Sequence, residues 1–154
     1  MQRLIVLCKF GPVEIAANPL AAAMTDCLGT ARPDALVPVP LHHERLRERG
    51  FNQAALLCDL VSLGTGVPVL HALTRIRKTR RQSSLPPEAR EDNVRDAFDA
   101  VAPVTGMRLM LVDDVRTTGS TVRACAKTLM AAGAMEVRLL TAAVAPQRNL
   151  PKGE

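Results

Sequence analysis

The apolar positions of this chain fall into two kinds of segment. Asp34 to Pro40 (DALVPVP), Arg108 to Val112 (RLMLV) and Glu136 to Val144 are short runs with little apolar–polar alternation. Such runs suit parallel strands whose two faces are both covered. Val67 to Ala72 reads as a further short strand. Between these runs the spacing is helical. Residues 12–28 predict a helix with Pro12 near its start, Gly29 past its end, and Pro19 expected to kink or split it. His42 to Arg49 is a charged helical turn or two, broken by Gly50. From Asn52, a plausible N-cap, a helix runs to about Leu63 with Leu56, Leu57, Leu60 and Val61 as its apolar stripe and Gly64 as its stop. Gly119 to Ala132 is the last helix, with Val122, Cys125, Ala126 and Leu129 on one face and Gly133 closing it. Strands alternating with helices predict an α/β fold built on a mainly parallel, twisted sheet with helices on both faces.

Residues 75–95 (RIRKTRRQSSLPPEAREDNVR) break this rhythm. Ser83-Ser84, Pro86-Pro87 and the scarcity of apolar positions predict a long mobile loop. It carries seven Lys/Arg against three Asp/Glu, while the whole chain has a formal charge of +5. Most of the net charge therefore sits in one loop, and its anionic partner is either small phosphates or a polynucleotide backbone. With three Phe and no Tyr or Trp, the chain is poorly supplied for modules that stack bases on aromatic platforms. The 154 residues are expected to make one domain, 1–154, with an N-terminal helical segment (1–30) and a basic loop at 74–95.

The four cysteines, Cys8, Cys27, Cys58 and Cys125, form no CxxC pair. This argues against a zinc ribbon or a thioredoxin-like site. Cys58 and Cys125 lie in apolar runs, where a reduced thiol acts as a small buried hydrophobe. The apolar run Leu4 to Cys8 is too short for a secretion signal and ends at Lys9, and no apolar run approaches the roughly 20 residues of a membrane helix. A reduced cytoplasmic protein without a membrane span is the expectation.

The chemistry concentrates in Leu109–Thr121, LMLVDDVRTTGST. An apolar strand delivers the adjacent carboxylates Asp113 and Asp114 to its carboxyl end, the edge where open α/β sheets bind ligands. A Thr/Gly/Ser/Thr turn follows and opens into a helix. It can offer backbone N–H groups, hydroxyls and a helix N-terminus to one anion, with Gly119 allowing close approach. The acidic half suits sugar hydroxyls or a hydrated Mg²⁺; the other half suits a phosphate. Together they describe a site for a ribose 5-phosphate. The chain contains neither GxxxxGK[ST] nor GxGxxG, so a Walker loop and a dinucleotide fingerprint are both excluded.

Residues 109–121 resemble the phosphoribosyl pyrophosphate (PRPP) motif of type I phosphoribosyltransferases. The strings Pro38-Val39-Pro40-Leu41 and Arg45-Leu46-Arg47-Glu48-Arg49-Gly50-Phe51-Asn52-Gln53 resemble the ComF family, which includes GntX-like proteins. So do Lys9-Phe10 and the loop bearing Arg77, Thr79, Gln82, Leu85, Arg90 and Asn93. The family usually carries an N-terminal four-cysteine zinc module, which these residues lack.

The resemblance implies a type I phosphoribosyltransferase fold and Mg²⁺-dependent transfer of a phosphoribosyl group with release of pyrophosphate. It implies that Asp113 and Asp114 bind the ribose hydroxyls, directly or through Mg²⁺, and that Thr117, Thr118, Gly119, Ser120 and Thr121 cradle the 5′-phosphate. Pro40, Leu41 and His42 would lie where pyrophosphate binds. The 75–95 loop would be the catalytic lid, with Arg77, Lys78, Gln82 and Arg90 acting on the leaving group. The 6-oxopurine enzymes carry an Asp where this chain has Thr117, which argues against hypoxanthine or guanine as acceptor. A homodimer is a further implication. The rival reading is a non-catalytic competence protein that contacts DNA or a DNA-processing partner through the basic loop. Arg45, Arg47 and Arg49 alternate with Glu44 and Glu48, so an exposed helix with i,i+4 pairs rivals a binding role. His42-His43 could be a metal pair, but adjacent side chains are expected to diverge.

Overall fold

The computed structural model describes residues 13–77, 94, 96–116 and 119–144. Expectations resting on Cys8, Lys9, Phe10, Pro12, residues 78–93, Thr117 and Thr118 lie outside them. The described elements, in chain order, are α1 (Val13–Leu28), β1 (Ala35–Pro38), α2 (His43–Arg49), α3 (Gln53–Thr65), β2 (Leu73–Arg75), β3 (Phe98–Ala100), β4 (Arg108–Arg116), α4 (Ser120–Ala131) and β5 (Glu136–Val144).

β4 is the middle of a three-stranded parallel sheet, with β1 on one side and β5 on the other. Ala35 to Pro38 pair with Leu109 to Val112, and Arg108 to Arg116 run beside Glu136 to Val144. Because strand side chains alternate, β1 and β4 feed two cores. Ala35, Val37, Leu109 and Leu111 join Val122, Cys125 and Leu129 of α4 and Leu73 and Phe98 of the β2–β3 pair. Leu36, Met110 and Val112 join Ala17, Leu20 and Met24 of α1 and Leu57, Cys58 and Val61 of α3. Helices thus cover both faces, as the unbroken apolar runs of these strands predict. Cys58 and Cys125 are buried free thiols, and burial pushes both well above the usual thiol range.

Four details depart from the sequence reading. α1 is one element through Pro19. Its buried stripe of Ala17, Leu20, Ala21, Met24 and Leu28 outweighs the roughly 3 kcal/mol cost of an internal proline. α3 does not stop at Gly64 but at Gly66, which takes the left-handed conformation at φ 74°. Gly64 instead faces α1: a Cβ there would come within 3.4 Å of Thr25 Oγ1, so this glycine serves helix packing. The expected strand at Val67 to Ala72 shrinks to one parallel bridge between Val69 and Leu36, with Pro68 accepting from Leu36 N–H but having no N–H to return. A hairpin-like pair that the sequence reading missed, β2 with β3, runs antiparallel with Arg75 opposite Phe98. Among the described residues, no helix is long and apolar enough to cross a membrane.

Candidate functional site

β4 runs four residues past Val112, so both carboxylates sit within the strand. The alternation that separates Leu111 from Val112 therefore also separates Asp113 from Asp114. Asp113 follows Leu109 and Leu111 toward α4 and β2–β3, where its charge acts on Arg75 and Cys125. Asp114 follows Met110 and Val112 toward α1 and α3. There it lines a crevice with room for about one water, together with Ala17, Leu20, Gln53, Leu56, Leu57 and Ala142. Each carboxylate is half-buried and has one oxygen held by the backbone: Asp113 Oδ1 accepts from Asp114 N–H at 3.0 Å, and Asp114 Oδ1 accepts from Val115 N–H at 2.8 Å. The pair is thus a splayed fork with pre-set orientations.

After β4 the chain turns into α4. Gly119 is its N-cap, at φ 80° and ψ 4°, and makes no side-chain cap hydrogen bond. The two other helices that open near this edge are capped by side chains. His42 accepts from Glu44 N–H, and Asn52 Oδ1 accepts from Ala54 N–H at 3.0 Å. Of these three helices, the one that follows the acidic pair has no N-cap side chain over its first N–H groups, which suits an anion. Gly119 and Ser120 are buried and Thr121 is half-buried.

At the end of β1, Val39 N–H donates to Val112 O at 2.9 Å, bringing the following turn beside the acidic strand. Pro40 and Leu41 are half-buried and His42 is buried. Asn52 pins this turn from below: its Nδ2 donates to Val39 O at 3.0 Å while its Oδ1 caps α3. Asn52→Ala removes a helix cap and leaves a carbonyl unpaired, so a stability loss of about 2 kcal/mol is expected. Thermal unfolding checks it; an unchanged midpoint would show that the turn does not depend on Asn52.

The expected divergence of His42 and His43 is not observed. Their ring centroids are 4.1 Å apart, and the ligating atoms of His42, His43 and Glu44 lie within 4.8 Å of one another. His42 is an extended N-cap at φ −64° and ψ 143°, outside the helix that begins at His43, so the geometry of a regular element does not apply. Among the described residues this is the group of three side chains that could hold a metal. Its imidazoles suit zinc or nickel better than Mg²⁺. Asp113 and Asp114 fit Mg²⁺ differently. Splayed carboxylates are poorly placed to ligate one ion together, but Mg²⁺ keeps several waters and takes few carboxylates, so either side chain can hold its hydration shell.

Arg75 heads the basic run in the sequence, but it is a strand residue of β2, 8% exposed, with its guanidinium carbon 5.3 Å from the Phe98 ring centre. Burial pushes its guanidinium below the usual value, Arg45 adds to the shift, and Cys125 and Asp113 oppose it. One of the seven loop cations is therefore an internal charge on the Asp113 side of β4. Arg77 is exposed, two residues further on; Lys78, Gln82 and Arg90 lie outside the described residues. On α2, Arg47 is exposed, while Arg49 Nη1 reaches past the helix to donate to Gln53 Oε1 at 3.2 Å. Arg75 and Gln53 received no role in the sequence reading. The signal for both was present: an Arg two residues after an apolar pair, and a Gln directly after the N-cap Asn.

Residues 54–154 match the family described as "Phosphoribosyl transferase domain". The chain is 40% identical over 112 residues to the DNA utilization protein YhgH of Salmonella typhi, covering 72% of this chain and 49% of that one. It is 37% identical over 111 residues to competence protein F of Haemophilus influenzae (70% and 48%) and 35% identical over 131 residues to competence protein ComFC of Bacillus subtilis (80% and 50%). Among solved structures, it resembles the Bacillus subtilis glutamine PRPP amidotransferase complexed with ADP and GMP, at TM-score 0.56, 25% identity and 82% of this chain against 26% of that chain. It also shares its fold with the purine phosphoribosyltransferase of Pyrococcus horikoshii, at TM-score 0.57, 16% identity and 86% of this chain against 75% of that one. The chain belongs to the type I phosphoribosyl transferase domain family, on its ComF-like branch. It spans about half the length of the curated relatives it matches.

Proposed function

We propose that this chain binds PRPP at the carboxyl end of β4 and transfers its phosphoribosyl group with release of pyrophosphate. The observation that carries this reading is the junction of β4 and α4. Two oriented carboxylates are followed within a few residues by a helix N-terminus without a side-chain cap. That junction complements a diol and a phosphate joined by a short sugar.

Asp113 and Asp114 would accept hydrogen bonds from the ribose hydroxyls, and the N–H groups opening α4 would hold the 5′-phosphate. The turn at Pro40, Leu41 and His42 would face the diphosphate. Displacement at C1 develops positive charge on the sugar and negative charge on the leaving group, and cations such as Arg77 would stabilise the latter. Mg²⁺, with its water shell held by Asp113 or Asp114, would template the diphosphate.

The test is calorimetry with Mg·PRPP, followed by a pyrophosphate-release screen across bases, amines and ammonia. A binding heat and release with one acceptor class are expected; no heat would overturn the reading. A second reading has its own support, namely the DNA-utilization and competence names of the relatives together with the basic run after β2. On that reading the chain binds DNA or a DNA-processing protein. Neutralising Arg77, Lys78, Arg80 and Arg81 should then weaken DNA binding and flatten its salt dependence, and unchanged affinity would remove it.

A further inference from the structure

The chain has three histidines, and two of them, His42 and His43, stand side by side where the chain leaves β1 and enters α2. On a regular strand or helix, neighbouring imidazoles would point apart. Here the extended backbone of His42 meets the first helical residue, and the rings close to 4.1 Å between centroids, tilted by 38°. The Glu44 carboxylate joins them, so that one ligating atom from each of the three residues lies within 4.8 Å of the others. A tetrahedral zinc ion, with ligands at about 2.0–2.2 Å, needs them about 3.4 Å apart. Side-chain rotation can supply that closure. His42 is 5% exposed and held by its surroundings, whereas His43 is exposed and Glu44 half-buried. One rigid ligand is thus met by two that can adjust. The hydrogen bond inside the group is no obstacle. His42 Nδ1 accepts from Glu44 N–H at 3.4 Å, beyond the usual range, so ligation there displaces a weak contact.

We propose that His42, His43 and Glu44 form a site for a divalent transition-metal ion, with zinc as the best match. Two neutral imidazoles and one carboxylate supply three nitrogen and oxygen ligands, and a water or another anionic oxygen completes the tetrahedron. Nickel accepts the same donors. Mg²⁺ is a poor occupant because it takes an octahedron of oxygens, and Ca²⁺ because it takes six to eight of them. The site therefore differs in its chemistry from the acidic pair of β4, and it stands whether or not the chain binds PRPP. A bound ion would cross-link the turn after β1 to the first turn of α2, since His42 belongs to the one and His43 and Glu44 to the other.

The test is calorimetry with zinc chloride on metal-free, untagged protein, with thermal melts alongside. Wild type should take up one zinc per chain at this site and melt higher when loaded. His43→Ala removes an exposed ligand, so the metal-free melting midpoint should stay where it is. Its zinc affinity should fall about 100-fold or more, since even residues that only support a ligand contribute about 10–100-fold. Glu44→Gln should weaken binding about tenfold. His71→Ala, and a variant carrying both Cys8→Ser and Cys27→Ser, should bind as wild type does. An excess of Mg²⁺ should not displace the zinc. Absence of a binding heat in wild type would overturn the site and leave His42 and His43 as a pair of stacked rings. So would a zinc affinity that survives His43→Ala or Glu44→Gln, that disappears with the two cysteines or with His71, or that Mg²⁺ competes away.

Discussion

Replacing both Asp113 and Asp114 with Asn lowers the affinity for Mg·PRPP by about 100-fold or more while leaving the fold intact. Hydrogen bonds to charged groups contribute about 1.5–3 kcal/mol each, so losing one on each side of β4 already reaches that factor. The variant is conservative where it needs to be. Each carboxylate has one oxygen accepting from a neighbouring backbone N–H, and an Asn carbonyl can keep that bond. The melting midpoint should therefore move little, which separates lost binding from lost structure. Since the two side chains leave β4 on opposite sides, each single variant should retain part of the affinity and the double should lose nearly all. Calorimetry with parallel thermal melts checks this, and a double variant with wild-type affinity would place the sugar elsewhere.

Arg75→Met is expected to cost about 3 kcal/mol of stability. Breaking a buried charge partnership from one side is costly because the remaining charge keeps its desolvation penalty and loses its compensation. Here Asp113 is the charged group that favours the Arg75 charge, since the buried Cys125 thiol stays neutral, and Phe98 supports it through its ring face. For a domain of this size the loss corresponds to a fall of about 6–12 °C in Tm. Arg75→Lys should recover only part of it, since an ammonium lacks the planar face that lies over Phe98. Adding Asp113→Asn to Arg75→Met should recover more, because it removes the stranded charge, and the non-additivity of this cycle measures the partnership. Additive effects would show that Arg75 supports the fold independently of Asp113.

The parts of this architecture that sequence periodicity reaches are its long elements. β5 covers Glu136–Val144 as its apolar run predicts, and α4 begins at the glycine that opens it. The short elements carry no period to detect. β2 and β3 are three residues each, and the first was absorbed into a charged run in which Arg75 counts as one more cation. Glycines mislead for a related reason. Gly64 and Gly66 both look like helix stops, and only the position of Thr25 on another helix separates them. In the site, the acidic pair and the glycine-opened helix are legible because they are contiguous. The splaying of Asp113 from Asp114 follows from extending β4 past Val112. The burial of the Gln53 amide depends on packing, which residue order does not encode.

β4 has consequences beyond holding two side chains. From Leu109 to Val112 it is paired on both edges and packed on both faces, so the backbone amides there can meet solvent only when both cores open together. Segments of this kind sit at the high end of the local-opening scale and exchange their amide hydrogens through near-global unfolding. The carboxylates follow directly on this stretch, with β5 still alongside. A ligand arriving there meets groups whose conformational freedom was already removed when the sheet formed, and the ordering cost of recognition falls on folding instead of on association.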